Sequence, residues 1–367
     1  MRDCSKILIT SGLTGGHFFP AVCFAKAYQK EHPASEIWFL LCKEAIPFDL
    51  DRHLQNFHVK TIPIDPFPKA FSMKLFLFLI HYPLSVAATY SFVWKLKPAV
   101  VASFGSYGSF PAVLAAWLLR VPIVIHEQNR ISGKANQVSA FFARWVTTSF
   151  PETSGNLPDK KVRYVGYPIR SELRSIAVRS QSMLRPEKKF YILVLGGSQG
   201  SLALNRITLN FFSSLTSAEK NRIAVIHITG KIEFERIRTA YSNMKMEHQV
   251  YAFSEEMGKL YSAADLVVAR AGAGTIFELA VFGLPSILIP YPFAYGHQSE
   301  NARYVENLNG AVVIEESKLT LDRFRNGVLD LLQNEEKRRK IKNAVQNLDV
   351  INAAERLVYL VDGASKN

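Results

Sequence analysis

The segment Ala269-Arg270-Ala271-Gly272-Ala273-Gly274-Thr275-Ile276-Phe277-Glu278 joins a small-residue turn to a carboxylate about one turn into the helix that follows. Glycine lets the backbone approach a ligand closely, and the first N–H groups and the dipole of a helix favour an anion such as phosphate. The carboxylate of Glu278 is a poor partner for phosphate and a good acceptor for two sugar hydroxyls. The segment therefore predicts a site for the ribose and phosphates of a nucleotide.

Two more loops have the same strand–loop–helix context. Ser11-Gly12-Leu13-Thr14-Gly15-Gly16-His17 follows an apolar run and precedes Pro20, which suits the first turn of a helix. Gly196-Gly197-Ser198-Gln199-Gly200-Ser201 follows another apolar run. Neither loop has the G-x-G-x-x-G spacing of dinucleotide sites, and no G-x-x-x-x-G-K-[ST] loop for ATP is present. The three loops together indicate phosphate binding and disfavour an NAD or FAD enzyme.

Two side chains could act as general bases. His17 closes the first loop, where an imidazole could take a proton from an attacking hydroxyl. The positive end of the helix opposes this role because it disfavours the protonated ring, and a lone histidine is more often structural. Glu127, in the run His126-Glu127-Gln128-Asn129 at the end of a strand, is the second candidate, and Asn129 can hydrogen-bond a sugar.

Other residues could hold phosphate. Gly105, Ser106, Tyr107 and Gly108 end a further strand and could bind phosphate through backbone N–H groups, although a plain turn explains them equally well. Arg170 and the helix N-termini are expected to neutralise a diphosphate leaving group. The metal–nucleotide motif D-x-D has a match at residues 49–51, but it lies away from the glycine loops. No metal site and no cofactor is therefore predicted.

Strand-like runs alternate with helical patterns along the chain, which predicts an α/β fold with parallel sheets. Both halves open with a strand, a glycine loop and a helix, so two Rossmann-like, doubly wound domains facing across a cleft are expected. Residues 166–170 are predicted to be a hinge, and ligands are expected at the carboxyl ends of the strands, in that cleft. The predicted strands are 6–10, 36–42, 59–62, 100–103, 122–126, 145–148 and 162–165, then 190–195, 223–229, 249–253, 266–269, 286–289 and 311–314.

The formal net charge of +13 in 367 residues predicts an acidic partner: nucleic acid, a phosphorylated ligand or anionic lipid. Nucleic acid is disfavoured, because no zinc-finger, RRM or KH signature is present and the basic residues are dispersed. With 48% hydrophobic residues the chain is globular and long enough for two domains. Three sparse cysteines and the lack of a signal-peptide pattern lead us to expect a cytoplasmic location.

Residues 67–94 are almost all apolar or aromatic. A membrane-spanning helix is disfavoured, because polar residues interrupt the run and Pro83 would break or kink it. Two interpretations remain open: a buried connection between two strands, or a patch that dips into an anionic leaflet. The patch would consist of Phe67, Lys69, Phe71, Lys74, Leu75 and Phe76.

Several of these motifs together resemble those of the MurG family of GT-B glycosyltransferases, which convert lipid I into lipid II in peptidoglycan synthesis. They occur in order from about residue 6 to 305, and the combination of His-Glu-Gln-Asn with Gly-Gly-Ser-Gln-Gly is specific. The motifs are Thr14-Gly15-Gly16-His17, Gly105-Ser106-Tyr107, His126-Glu127-Gln128-Asn129, Gly196-Gly197-Ser198-Gln199-Gly200, Gly272-Ala273-Gly274-Thr275 with Glu278, Gly283-Leu284-Pro285, His297-Gln298 and Asn301-Ala302.

The resemblance implies a membrane-associated acceptor domain at 1–166, a UDP-GlcNAc domain at 167–350, and a last helix within 351–367 that returns to the first domain. It implies an inverting transfer of GlcNAc from UDP-GlcNAc to the MurNAc C4 hydroxyl of lipid I, without an essential metal. It also implies peripheral attachment to the anionic cytoplasmic face of the inner membrane, and it leaves open membership of a cell-wall synthesis complex.

Carried over by position, residues 105–108 would hold the acceptor diphosphate. Leu13, Tyr167, His297 and Ser254 depart from the family's pattern, which bears on donor affinity and not on the reaction class. The implied donor contacts are Thr14, Gly15, Gly16, Asn129, Arg170, Ser198, Ser254, Ala273, Gly274, Thr275, Ile276, Phe277, Glu278 and Gln298.

Two other functions stay open at the level of sequence. One is another GT-B enzyme, either a different lipid glycosyltransferase or a UDP-GlcNAc 2-epimerase, and the epimerase would need no membrane patch. The other is a non-catalytic nucleotide-sugar sensor, which would bind UDP-GlcNAc without turnover.

Overall fold

The chain divides into two compact units in the computed structural model, which describes residues 3–42, 49–64, 73–181, 189–197, 199–293, 296–348 and 351–365. Unit 1 comprises Met1–Ile169 and Ile351–Asn367, and unit 2 comprises Arg170–Val350.

Unit 1 is built on a parallel sheet that has seven strands in the described residues. They are β1 (Asp3–Ser11), β2 (Glu36–Cys42), β3 (His58–Ile62), β4 (Pro98–Ser103), β5 (Ile123–Glu127), β6 (Trp145–Thr148) and β7 (Val162–Tyr164). Their order across the sheet is β3-β2-β1-β4-β5-β6-β7. The central strands are hydrophobic on both faces: Ile7, Leu8 and Ile9 of β1 are fully buried, as are Val100 and Val101 of β4. Continuous burial of this kind is what helices on both faces of a parallel sheet produce.

The helices before the middle of the chain cover this sheet. They are α1 (Gly15–Glu31), α2 (Leu50–Leu54), α3 (Met73–Leu96), α4 (Phe110–Leu118) and α5 (Lys134–Ala140). Asp49 caps α2 by accepting hydrogen bonds from the backbone N–H groups of Asp51 and Arg52, at 3.0 and 3.3 Å. The isolated D-x-D match is therefore a helix cap.

Unit 2 repeats the arrangement with six strands in its described residues, ordered β10-β9-β8-β11-β12-β13. The strands are β8 (Phe190–Leu195), β9 (Ile223–Ile228), β10 (His248–Tyr251), β11 (Leu266–Ala269), β12 (Ser286–Leu288) and β13 (Val312–Val313). The helices are α6 (Ser171–Gln181), α7 (Leu202–Ser214), α8 (Ser217–Arg222), α9 (Phe234–Asn243), α10 (Met257–Ala263), α11 (Ala273–Phe282), α12 (His297–Asn307), α13 (Leu321–Gln333) and α14 (Glu335–Gln346).

The last helix, α15 (Ala353–Ser365), belongs to unit 1, where it packs against α1 and the strands β4, β5 and β6. Leu357 and Val361 of this helix are 1% and 0% exposed. The Nε of Arg356 donates a hydrogen bond to the backbone oxygen of Val165 at 2.8 Å, and His32 pairs with Asp362 at 3.0 Å. The final residues therefore complete the core of the unit in which the chain begins.

The predicted α/β fold with two parallel sheets is confirmed, and each predicted strand is present with ends that differ by no more than three residues.

Two expectations about proline are wrong. The helix α1 begins at Gly15, so Pro20 lies in its second turn, and the backbone oxygen of Gly16 lacks its helical donor. The hydroxyl of Tyr167 donates to that oxygen at 3.5 Å.

The second correction concerns the break expected at Pro83 as one of two alternatives, since α3 continues through the proline as one helix. Side chains on both sides of the proline are buried, with Phe78 at 7% exposure and Thr89 and Val93 at 0%. This packing offsets the cost of the missing donor, and α3 connects β3 to β4. Within the part of the chain that the structure describes, none of the helices has the length and apolar character needed to span a bilayer.

Candidate active site

In unit 1 the polar residues singled out from the sequence lie at the carboxyl ends of three neighbouring strands. β1 pairs with β4 and β4 pairs with β5, so the loops that follow these strands are side by side. The backbone N–H of Gly12 donates to the oxygen of Gly105 at 3.2 Å. A Cβ at position 12 would lie 2.5 Å from the Cβ of Ser106, so only glycine permits this close contact. The first glycine loop and the 105–108 loop therefore touch.

His17 lies in the first turn of α1, where it is half-buried. Its Nδ1 is 2.8 Å from the backbone oxygen of Phe104 and 3.1 Å from Oε1 of Gln128. Because both oxygens can only accept, Nδ1 carries the proton of the neutral ring and Nε2 keeps a lone pair. The Nε2 of Gln128 also donates to Phe104 O at 2.8 Å, which orients the amide. The imidazole is thus held as a proton acceptor at Nε2, as a general base requires.

Glu127 has very different surroundings, since it is 1% exposed and receives five hydrogen bonds. Oε1 accepts from the backbone N–H and, at 3.4 Å, the Nδ2 of Asn129. Oε2 accepts from Ser132 Oγ (3.2 Å), Gly133 N (3.0 Å) and Asn136 Nδ2 (2.7 Å). A carboxylate has about four lone-pair positions, so these donors occupy it fully. The geometry favours a role in anchoring the loop after β5 over a role in proton transfer.

His126 is a buried structural histidine. Thr147 Oγ1 donates to the backbone oxygen of Ile125 at 3.0 Å, so it accepts from Nδ1 of His126, also at 3.0 Å. Ser149 Oγ then donates to Nε2 at 3.0 Å. Burial, with the nearby charge of His17 as a smaller cause, lowers the pKa of His126 to about 3. The ring is therefore neutral at physiological pH.

The 105–108 loop is closely packed. Gly105 and Ser106 both have positive φ, at 81° and 80°, which for serine is a strained conformation of the kind found at ligand sites. A Cβ at Gly108 would lie 1.9 Å from Sγ of Cys42. The ring of Tyr107 stacks on Tyr82 of α3, with centroids 5.3 Å apart. The loop is therefore clamped between β2 and α3, with its backbone at the edge that carries His17.

In unit 2 the two glycine loops follow adjacent strands, since β8 pairs with β11. The loop after β8 leads into α7, whose N-cap is Ser201, and the loop after β11 leads into α11, whose N-cap is Gly272. Neither helix has an acidic residue in its first turn. Two positive helix ends thus lie at neighbouring strand ends, which is an arrangement suited to a diphosphate.

A buried arginine ties these loops together. Arg270, 8% exposed, follows β11 directly, and its Nη2 donates to Ser201 Oγ at 2.8 Å. Its Nη1 donates to the backbone oxygen of Ile289 at 3.1 Å and lies 2.5 Å from Oε2 of Glu316. The guanidinium also lies over the ring of Tyr291, 5.3 Å from its centroid. The loops after β8, β11 and β12 are therefore held by one side chain.

Glu278 lies in the second turn of α11, and its side chain is 17% exposed. Its Oε1 forms an ion pair with Nη2 of Arg170 at 3.0 Å, and its Oε2 accepts from the hydroxyl of Tyr261 at 2.8 Å. Arg170, expected beside the leaving group, is thus engaged with the carboxylate predicted to bind ribose.

The remaining implied donor residues are distributed over both units. In unit 1, Thr14 is the exposed N-cap of α1, Gly15 and Gly16 are its first residues, and Asn129 is half-buried. In unit 2, Ala273, Gly274, Thr275, Ile276 and Phe277 begin α11, and Gln298 accepts from the backbone N–H of Tyr291 at 2.9 Å. Ser254 follows β10, which β9 separates from β8, and its Oγ accepts from Glu256 N at 3.1 Å.

Some predicted residues cannot be placed. Ser198, Phe67, Lys69 and Phe71 lie outside the described residues, and so do the side chains of Lys74, Leu75 and Phe76 at the start of α3. Among the residues that the structure does describe, no group of three or more His, Cys, Asp or Glu side chains is arranged to hold a metal ion.

Sequence reasoning missed the roles of Gln128, Tyr261, Arg270 and Ser201. Arg270 had a signal, because a charged residue directly after a buried strand and before a small-residue turn must find partners inside the protein. Tyr261 had none, since a tyrosine in a helix reads as ordinary core.

Both units resemble known proteins. Residues 7–148 match the family model described as the glycosyltransferase family 28 N-terminal domain, and residues 191–357 match that of the glycosyltransferase family 28 C-terminal domain. Together the matches cover most of both units and leave out residues 149–190.

Two curated relatives are named UDP-N-acetylglucosamine–N-acetylmuramyl-(pentapeptide) pyrophosphoryl-undecaprenol N-acetylglucosamine transferase. The protein from Desulfotalea psychrophila is 34% identical over 96% of this chain and 95% of its own length. The protein from Coxiella burnetii is 37% identical over 86% of each.

Among solved structures, MurG from Acinetobacter baumannii superposes with a TM-score of 0.74 at 26% identity, over 98% of this chain and 99% of that one. A UDP-GlcNAc 2-epimerase from Neisseria meningitidis bound to UDP-GlcNAc superposes with a TM-score of 0.69 over 98% of this chain and 100% of that one. At 13% identity the second likeness shows a shared fold alone.

Proposed function

The chain belongs to glycosyltransferase family 28, and we propose that it transfers GlcNAc from UDP-GlcNAc to the MurNAc C4 hydroxyl of undecaprenyl-pyrophosphoryl-MurNAc-pentapeptide, lipid I. The product is lipid II with a β-1,4 linkage. The observation that carries the proposal is the 34% identity, over 96% of the chain, to a relative named for this transfer. The epimerase alternative is supported by fold alone, and no observation favours the sensor.

His17 is the general base of the proposed reaction. Its Nε2 takes the proton of the C4 hydroxyl, because Nδ1 is committed as a donor to Phe104 and Gln128. The acceptor oxygen forms a bond to C1 of GlcNAc as the bond from C1 to the UDP oxygen breaks with its electron pair. Attack from the face opposite UDP inverts C1. Unit 1 is the acceptor unit in this proposal, with residues 105–108 near the acceptor diphosphate.

Unit 2 is the donor unit in the same proposal. The N-termini of α7 and α11 stabilise the charge that develops on UDP, because their N–H groups and dipoles are fixed in place before the reaction begins. Glu278 accepts hydrogen bonds from the ribose hydroxyls. With this electrostatic help, the transfer is proposed to need no essential metal.

The test is transfer of radiolabelled GlcNAc from UDP-GlcNAc to a lipid I analogue in detergent, with EDTA present. Labelled lipid-linked disaccharide is the expected product. Binding of UDP-GlcNAc without any product would contradict the assigned acceptor, and activity that depends on an added divalent ion would contradict metal independence.

We further propose that unit 1 attaches peripherally to the anionic cytoplasmic face of the inner membrane. The patch predicted at residues 67–76 is one part of the argument, and exposed apolar side chains on α3, α4 and α5 are another. Trp94 and Leu84 of α3 are 57% and 63% exposed, and Trp117 and Leu118 of α4 are 49% and 53% exposed. Exposed basic residues, Lys95, Lys97 and Arg120, flank these helices. Apolar groups with surrounding cations suit an anionic bilayer surface.

Co-sedimentation with vesicles tests this attachment. The full chain is expected to bind vesicles that contain anionic lipid and to bind purely zwitterionic vesicles much less. The double variant Trp94→Ser with Trp117→Ser is expected to lose most of the binding, while Ile232→Ser, which alters a 90% exposed residue of unit 2, retains it. Equal binding by both variants would contradict this membrane surface.

A further inference from the structure

We propose that Tyr261 and Arg170 are positioning residues that hold the Glu278 carboxylate ready for the ribose of the donor. The inference rests on the proposed function, since it concerns the same nucleotide site. In this inference Arg170 orients Glu278 and does not primarily neutralise the leaving diphosphate. Tyr261, to which the sequence assigned no functional role, orients the same carboxylate.

The two donors divide the carboxylate evenly. Arg170 Nη2 lies 3.0 Å from Oε1 of Glu278, and the hydroxyl of Tyr261 lies 2.8 Å from Oε2. A carboxylate offers about four lone-pair positions, two on each oxygen. One position on each oxygen therefore stays available, and two adjacent hydroxyls of a ribose match such a pair. Glu127, which accepts five hydrogen bonds, shows what a carboxylate with no remaining capacity looks like in this protein.

The surroundings make this orientation rigid. Tyr261 is 1% exposed, and its ring packs against Phe282 at a centroid distance of 5.3 Å. The side chains of Arg170 and Glu278 are 16% and 17% exposed, so water competes weakly for the ion pair. A carboxylate held at both oxygens does not lose rotational freedom again when a ligand binds, which favours affinity.

The same contacts argue against a primary role of Arg170 at the diphosphate. The guanidinium is already paired with a partly buried carboxylate, and leaving that carboxylate unpaired would be costly. The two positive helix ends at Ser201 and Gly272 are the groups that suit the phosphates. Loss of Arg170 should then weaken recognition of the nucleoside as much as recognition of the nucleotide.

The first experiment compares binding of UDP and of 2′,3′-dideoxy-UDP by isothermal titration or competition. Tyr261→Phe is expected to weaken UDP about fivefold, because one donor to the carboxylate is lost, and to change the dideoxy nucleotide less than twofold. Tyr241→Phe is the matched control, since Tyr241 is also fully buried in unit 2 but its hydroxyl bonds to His227. An equal loss for both ligands, or no loss for either, would overturn the role of Tyr261.

The second experiment compares UDP with uridine for Arg170→Met, and for Arg170→Lys as a variant that keeps the charge. We expect Arg170→Met to weaken both ligands by the same factor, about tenfold, and Arg170→Lys to recover part of the loss. A loss for UDP with uridine unchanged would place Arg170 at the diphosphate and overturn its positioning role.

Thermal unfolding of each variant is measured first, to establish that the fold is retained before binding is compared. If the wild-type protein binds UDP and neither variant differs from it, this inference fails while the proposed donor stands. Failure of the wild type to bind UDP would overturn the proposed donor and this inference with it.

Discussion

His17 and Glu127 both lie near the ends of central strands in unit 1, and their hydrogen bonds give them opposite chemical capacities. The imidazole donates from Nδ1 and keeps Nε2 as an acceptor, whereas the carboxylate accepts five hydrogen bonds inside the protein. A group can take a proton from substrate only if it has a lone pair that the protein does not use. Residue type and position make both of them candidates, with His17 first and Glu127 second, and their contacts show which one can accept a proton.

We predict that His17→Ala lowers kcat by about 10²- to 10⁴-fold, because the general base is removed. Affinity for UDP should change little, since the groups proposed to bind its phosphates and ribose, the N-termini of α7 and α11 and Glu278, lie in unit 2. Steady-state kinetics with a lipid I analogue measure the first quantity, and titration with UDP measures the second. His58→Ala, at an exposed position of β3, should have wild-type kinetics. An undiminished transfer rate in His17→Ala would contradict its role as base.

For Glu127→Gln we predict a loss of stability of about 2 kcal/mol or more, because an amide nitrogen replaces one acceptor oxygen among five donors. Asn136→Ala, which removes the 2.7 Å donor to the same carboxylate, should lower both the stability and kcat, each by less than Glu127→Gln does. Thermal unfolding and kcat are measured on both variants. If Glu127 were instead the catalytic base, Glu127→Gln would lower kcat without changing the melting temperature, and Asn136→Ala would retain kcat.

At the scale of elements, the parallel order of the strands explains why distant motifs become one site. The loops after β1, β4 and β5 meet because those strands are neighbours, and the same is true of the loops after β8, β11 and β12. Crossover connections place a helix N-terminus after the strand, so each loop also supplies N–H groups. The GT-B fold expected from the resemblance is confirmed, and its repeated strand–loop–helix units place helix N-termini where the anion sites are proposed.

The helix α15 provides a prediction at this scale. Leu357→Ala should destabilise the protein by about 2–5 kcal/mol, because Leu357 is 1% exposed against the core of unit 1. Tyr359→Ala on the same helix should be nearly neutral, since Tyr359 is 78% exposed. Thermal unfolding followed by circular dichroism compares the two. Equal melting temperatures would mean that the last helix contributes little to the core of unit 1.

For the molecule as a whole, a shared feature is that each unit contains a histidine that burial keeps neutral. Burial lowers the pKa of His227 in unit 2 to about 3, as it does for His126 in unit 1. The ring of His227 accepts from the hydroxyl of Tyr241 at Nδ1 and donates from Nε2 to Oδ1 of Asn205, at 2.9 and 3.0 Å. Both rings charge readily when the chain unfolds, at a pKa near 6.5, and resist charging in the fold.

Acid should therefore destabilise both units. Because the unfolded state binds the extra protons, the stabilising contribution is present above pH ~6.5 and is lost as the pH falls toward about 3. Each histidine lowers the free energy of unfolding by up to about 1.4 kcal/mol per pH unit within that window. Denaturant unfolding between pH 7.5 and 5 measures the slope. His227→Gln should make it shallower and His58→Gln should not, and identical slopes would contradict this account.

The sequence by itself determined the α/β class, the thirteen strands found in the described residues, and the three glycine loops. These features depend on local apolar runs, turns and helix starts, which act over a few residues. It also led to the family, because the motifs keep their order along the chain. The two prolines were exceptions. The helix α1 begins earlier than Pro20 indicated, and buried side chains on both sides of Pro83 outweighed the local effect of that proline in α3.

Only the tertiary structure decided which polar side chains still have capacity to bind or react. His17 donates from Nδ1 to residues that are 87 and 111 positions away in the sequence. Glu278 is bound by Arg170 and Tyr261, which are 108 and 17 positions away. Glu127 and its donor Asn136 are close in sequence but lie on different elements. The remaining capacity of a hydrogen-bonding group consists of the lone pairs and protons that its neighbours leave unused. Those neighbours are brought together by strand order and helix packing, which no local pattern in the sequence specifies.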